Sequence, residues 1–135
     1  MRILIDADAY IALYSRNDTN YAKAKETVEK FDVGKHEWFT AWDVVDEVAT
    51  KLSYKLSKLA AKRFLLKLAV SNTTIIYPTD DLLGKVVSLL TKISSKNVSF
   101  TDCVNMVIYK DYSIDRVFSF DKIYVKQKIK VLGSR

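Results

Sequence analysis

The chain has 135 residues, of which 49% are hydrophobic and 28% charged, with three Gly and one Pro. That composition fits a single globular domain, residues 1–135, with a sizeable core, and excludes collagenous, low-complexity and linker-rich chains. The formal net charge of +6 is compatible with a polyanionic partner such as nucleic acid.

One cysteine, Cys103, excludes an intramolecular disulfide framework and fits a reducing compartment. Asp6 and Asp8 interrupt any apolar leader, and no stretch approaches the ~20 apolar residues of a spanning helix. The expectation is a soluble, cytoplasmic protein with no membrane partner.

Residues 2–5 are continuously apolar after Arg2 and predict a buried strand. A short helix follows over 7–14, then a loop at Asn17-Asp18-Thr19-Asn20 and a charged helix over 21–31. Val33-Gly34-Lys35 reads as a turn and residues 37–40 as a second strand. A helix over 41–54 has Val44, Val45, Val48 and Leu52 as its apolar stripe. Ser57 is an N-cap for a helix through Val70. The β-branched run 73–77 predicts a third strand. Thr79-Asp80-Asp81 caps a helix reaching residue 93, and 95–97 is a loop. Residues 101–112 predict a helix, 116–120 a fourth strand and 129–132 a last one. This alternation predicts an α/β fold: a three-layer α/β/α sandwich around a mostly parallel sheet of four to five strands.

Four acids sit where backbone ends aim them at one place. Asp6 follows the first strand and Asp121 the fourth, and ligands of open α/β sheets bind beyond the carboxyl ends of strands. Asp102 opens a helix, and Glu47 lies within Asp43-Val44-Val45-Asp46-Glu47-Val48. Each has a plainer reading: Asp6 and Asp102 as helix-start residues, Asp121 as a turn, Glu47 as a solvated helix position. Taken together they read otherwise. Carboxylates gathered in a partly dry pocket repel one another, and a hard divalent cation such as Mg²⁺ or Mn²⁺ offsets that cost.

The joint pattern resembles the PIN-domain family of metal-dependent ribonucleases, which includes toxins of the VapBC type. The resemblance rests on Leu4-Ile5-Asp6-Ala7-Asp8-Ala9-Tyr10, on Glu47 followed by Val48-Ala49-Thr50-Lys51-Leu52, on Ser99-Phe100-Thr101-Asp102-Cys103, and on Phe118-Ser119-Phe120-Asp121-Lys122-Ile123-Tyr124. Tyr124 stands where the family usually has Phe. Asp8 stands where it usually has Asn, Ser or Thr, and is an extra ligand, an acceptor beside the ligands, or a helix residue pointing away. The resemblance implies that Asp6, Asp102 and Asp121 hold Mg²⁺ or Mn²⁺ directly or through water. It implies that Glu47 binds a second ion or orients and deprotonates the attacking water. Thr101 or Ser119 then hydrogen-bonds a ligand carboxylate. RNA is the implied substrate, with 5′-phosphate and 3′-hydroxyl products. An antitoxin protein and a homodimer are the implied partners. Asp43 shares a helical face with Glu47 and is a second candidate there.

From Val48 to Thr79 the chain carries no acid, while Lys51, Lys55, Lys58, Lys62, Arg63 and Lys67 accumulate. On an unbroken helix Lys51, Lys55, Lys58 and Lys62 form one face able to hold RNA phosphates. Alternatively they mark a solvated face with Leu56, Leu59, Leu65 and Leu68 buried opposite. The basic tail Lys122, Lys126, Lys128, Lys130 and Arg135 reads as a lysine-blunted edge strand. His36 alone supports neither a zinc site nor a His-based triad. Cys103 reads as a packed thiol, and Trp38 and Trp42 as residues in or near the core.

Two other functions compete. Asp6-Ala7-Asp8 satisfies the Asp-x-Asp of haloacid-dehalogenase-like phosphatases, but Tyr10 and the lone Asp121 do not fit that pattern. A non-catalytic PIN-like RNA-binding or scaffold module is the non-enzymatic alternative.

Overall fold

The computed structural model describes residues 1–31 and 35–133. The turn expected at Val33 and Gly34, and Arg135 of the basic tail, lie outside the described residues. In chain order the elements are β1 (Arg2–Ile5), α1 (Ala7–Tyr14), α2 (Tyr21–Lys30), β2 (Glu37–Ala41), α3 (Trp42–Lys55) and α4 (Lys58–Val70). They continue with β3 (Thr74–Ile76), α5 (Asp80–Lys92), α6 (Phe100–Asp111), β4 (Arg116–Ser119), α7 (Ile123–Lys126) and β5 (Val131–Gly133).

The five strands form one sheet in the order β3-β2-β1-β4-β5, and every neighbouring pair is parallel. The α/β sandwich read from the sequence is the fold found, with the sheet wholly parallel. From β1 the chain steps outward twice on one side, to β2 and β3, and then crosses back to β4 on the other. The order therefore reverses between β1 and β4, and such a switch point opens a crevice beyond the carboxyl ends of those strands.

β1 is the centre of the core: Ile3 and Leu4 are fully buried, as parallel strands covered on both faces require. Helix α1 packs on α2 and α3, α3 on α4, and α5 on α6. Phe64 of α4 is buried, with Tyr10 and Tyr14 edge-on to its ring at 5.0 and 5.6 Å between centroids. Ser57 caps α4 by accepting from the Ala60 amide, and Thr79 caps α5 by accepting from Leu82. Cys103 is buried in α6.

Several local expectations need correcting. The helix break at Leu56 and Ser57 puts Lys51 and Lys55 on α3 but Lys58 and Lys62 on α4, so the four lysines do not share one helical face. Leu56, Leu59 and Leu65 are exposed, because the buried side of α4 is Ala61, Phe64 and Leu68. Trp38 is buried, whereas Trp42, first residue of α3, is 44% exposed and meets the Tyr77 ring at 5.3 Å. β4 stops at Ser119 rather than residue 120, β5 starts at Val131 rather than 129, and the one-turn α7 lies between them. β5 is an edge strand, but Lys122, Lys126, Lys128 and Lys130 of the basic tail precede it, so the strand is not blunted by lysine as the sequence suggested.

Candidate active site

β1 ends at Ile5, and Asp6 follows it with an extended backbone (φ −90°, ψ 166°) as the N-cap of α1. Its amide continues the sheet ladder by donating to the Phe118 carbonyl at 3.0 Å, which ties it to β4 across the switch point. Four donors converge on its buried carboxylate. Oδ1 accepts from the Ala7 amide at 2.8 Å and from Asn105 Nδ2 at 2.9 Å. Oδ2 accepts from Ser119 Oγ and Tyr124 Oη, both at 3.0 Å. A carboxylate has about four lone-pair positions, so Asp6 is fully occupied.

Asp8, one residue into the first turn of α1, leans back into the same crevice. Its Oδ2 accepts from the Phe120 amide at 2.9 Å, and its two oxygens lie 3.1 and 3.2 Å from Ser119 Oγ. Ser119 has a single hydroxyl hydrogen, so at any instant it serves Asp6 or Asp8. Its oxygen also accepts from the Asp121 amide at 3.1 Å. Asp121 is exposed just beyond β4, and its Oδ1 accepts from the Ile123 amide at 2.9 Å, which starts α7. That turn inserts the fully buried Tyr124 ring, with its hydroxyl against Asp6.

Asp102 arrives from the opposite wall. It is the third residue of α6 and forms a reciprocal capping box with Ser99: Asp102 Oδ2 accepts from the Ser99 amide at 2.9 Å, and Ser99 Oγ from the Asp102 amide at 3.0 Å. Its other oxygen lies 3.4 Å from Tyr124 Oη. One helical turn on, Asn105 donates to both Asp6 and Tyr124, the latter at 3.0 Å.

Burial, and secondly the charge of Asp8, push the Asp6 carboxyl up to about 7. Burial also pushes Asp8 up to about 6, where the Phe120 amide and Ser119 hold it down and Asp121 adds to the rise. Tyr124 is raised by burial and by Asp6. The crevice therefore holds more negative charge than its donors offset.

Other residues singled out in the sequence stand apart from this network. Glu47 is half-buried on α3 and paired with Lys51 at 2.9 Å. Asp43 lines a separate cleft with Pro78, Thr79 and Phe100. Among the described residues Thr101 makes no hydrogen bond to the acids. Asn105 was not legible as a site residue: a single Asn inside Cys103-Val104-Asn105-Met106-Val107-Ile108 gives away only that a polar group is buried there. Its position three residues after Asp102 was the available signal.

Among the described residues, no group of three or more Asp, Glu, His and Cys side chains is arranged to hold a metal ion by itself. The donor chemistry nonetheless fits a hard cation. Mg²⁺ is commonly held by one or two carboxylates and several waters, and Asp6 and Asp102 stand on either side of one hydroxyl. The fully buried Asn105 Oδ1 has no partner.

No protein-family model matches the sequence, and neither does any curated protein sequence. Solved structures do match. The Mycobacterium tuberculosis VapC20, a sarcin-ricin loop cleaving toxin, superposes with a TM-score of 0.86 at 18% identity, over 94% of this chain and 95% of that one. The Neisseria gonorrhoeae FitAcB structure gives 0.70 at 12% identity, over 96% of both chains. The Rickettsia felis VapBC2, bound to a DNA fragment from its promoter, gives 0.69 at 11% identity, over 97% of both. The chain has the VapC-type PIN-domain fold. No helix among the described residues is long and apolar enough to cross a membrane.

Proposed function

We propose that this protein is a Mg²⁺- or Mn²⁺-dependent endoribonuclease and the toxin of a toxin–antitoxin pair. The observation that carries the proposal is the crevice between β1 and β4. It gathers Asp6, Asp8 and Asp102 around two hydroxyls, with Asp121 at the rim, in the fold of an RNA-cleaving toxin.

Asp6, Asp102 and Asp121 would hold the cation, directly or through water. Bound there, the ion supplies an activated water and neutralises charge on the phosphodiester oxygens. Ser119 orients the Asp6 carboxylate, and Asp8 is the alternative acceptor for the same hydroxyl. The family resemblance adds Glu47, paired here with Lys51, which would bind a second ion or orient and deprotonate the attacking water. Lys55, Lys58 and Lys62 are exposed and would take RNA phosphates. Cleavage leaves 5′-phosphate and 3′-hydroxyl ends.

The toxin–antitoxin structures among the neighbours support a protein partner. An apolar cavity of about 330 Å³, lined by Tyr10, Tyr14, Val28, Phe64 and Leu68, gives such a partner a place to bury side chains. The VapC-type fold supports the nuclease reading over the Asp-x-Asp phosphatase.

The test is cleavage of structured and single-stranded RNA by purified protein with and without chelator. Asp6→Asn and Asp121→Asn are expected to lose cleavage while keeping a native circular dichroism spectrum. Full activity in both variants refutes the site, and RNA binding without cleavage in the wild type favours a binding module.

A further inference from the structure

Tyr124 stands where the family pattern has Phe, so its hydroxyl is the one polar group that the family ring lacks. That hydroxyl sits between two carboxylates, 3.0 Å from Asp6 Oδ2 and 3.4 Å from Asp102 Oδ1. It also accepts from Asn105 Nδ2 at 3.0 Å, and Asn105 in turn holds Asp6 Oδ1 at 2.9 Å. The Asn105 amide cannot be turned over, because Oδ1 would then face the Asp6 carboxylate.

With its oxygen occupied by Asn105, Tyr124 has one hydrogen to give and two acceptors within reach. Ser119 is in the same position between Asp6 and Asp8. Asp6 Oδ2 therefore receives both of its hydrogen bonds from rotors, each with a second carboxylate to turn to. A cation reaching Asp6 Oδ2 can displace a rotor without leaving any donor unpaired, so the change avoids the usual cost of a buried, unsatisfied group.

We infer that Tyr124, fixed by Asn105, is a positioning residue that controls cation binding at Asp6. Its hydroxyl holds Asp6 until a divalent cation binds, then turns to Asp102. The inference rests on the metal-dependent reading of the site. The contact given up at Asp6 is shorter than the one gained at Asp102, so the hydroxyl works against the cation.

The experiment is calorimetric titration of Mn²⁺ into the wild type, Tyr124→Phe and Asp102→Asn, with no RNA present. Tyr124→Phe is expected to bind Mn²⁺ roughly three- to tenfold more tightly, the size of a lost hydrogen bond to a charged group after partial compensation. Asp102→Asn is expected to bind more weakly. A second measurement uses the wild type alone: the ¹³Cζ resonance of labelled Tyr124 should move with Mg²⁺ at the concentrations that saturate binding. Unchanged or weaker Mn²⁺ binding in Tyr124→Phe, or a Tyr124 resonance indifferent to bound Mg²⁺, overturns the role of Tyr124 and leaves the metal site standing. A wild type that binds neither cation at millimolar concentration overturns both.

Discussion

Asn105 donates from its Nδ2 to Asp6 Oδ1 at 2.9 Å, joining two residues 99 positions apart in the chain. The bond fixes α6 to the end of β1 through a neutral donor, and it faces a carboxylate that burial makes costly.

Asn105→Ala removes a fully buried group, one of the two donors to Asp6 Oδ1, and the donor to Tyr124 Oη. Hydrogen bonds to charged groups are worth about 1.5–3 kcal/mol. The variant should lose about 2–3 kcal/mol in urea unfolding, with an unchanged m-value. A loss below about 0.5 kcal/mol would mean that water replaces the amide fully.

Asp8 should make the protein less stable as pH rises. Its carboxyl is raised to about 6 in the fold against 3.8 for the free group, so the native state binds more protons between those values. Stability from Asp8 is complete below about pH 4 and declines up to about pH 6. Asp8→Asn keeps an acceptor for the Phe120 amide and can donate to Ser119. At pH 7.5 without added metal it should be more stable than the wild type by about 1–2 kcal/mol, and at pH 4 nearly equal to it. Thermal melts of both proteins at the two pH values check this, and a constant gap would contradict it.

Much of this site was legible in the sequence because it follows from strand ends. Ile3-Leu4-Ile5 reads as a buried parallel strand, and the residue after it then sits at the carboxyl end of that strand. The same grammar located Asp121 through Val117-Phe118-Ser119. What escaped depends on side chains meeting from distant elements. Tyr124 was visible as a departure from Phe, yet nothing local says that its hydroxyl meets Asp6. Leu56, Leu59 and Leu65 misled because α4 is apolar on several sides, so periodicity does not single out the face that Phe64 buries. The one-turn α7 is too short for any periodic signal, and the Asp121 carboxylate accepts from the amide of its first residue, Ile123.

Lys55, Lys58 and Lys62 make a distinct prediction from the acids. The triple alanine variant should weaken RNA binding by a salt-sensitive amount. The slope of log K against log salt should fall by about 2, close to 0.7 per phosphate contact on single strands. Filter binding of RNA to a cleavage-dead background, at several salt concentrations, measures it. An unchanged slope places the RNA elsewhere.

Gly133 ends β5 with φ +97°, and an added Cβ would lie 3.1 Å from Phe120 Cε1 and 3.2 Å from Phe118 Cε1. Gly133→Ala combines backbone strain with crowding and should cost about 1–3 kcal/mol. Differential scanning calorimetry should show a lower melting temperature, and an unchanged one would remove the constraint.

The ladder bond from the Asp6 amide to the Phe118 carbonyl sets an order of events during synthesis. Asp6 is made well before its partners Ser119 and Tyr124, which lie 113 and 118 positions further along the chain. A chain still being translated can form β1, β2 and β3 but has nothing with which to close the crevice. A chain that stops before β4 therefore lacks Ser119, Asp121 and Tyr124, and with them the wall that closes the crevice around Asp6.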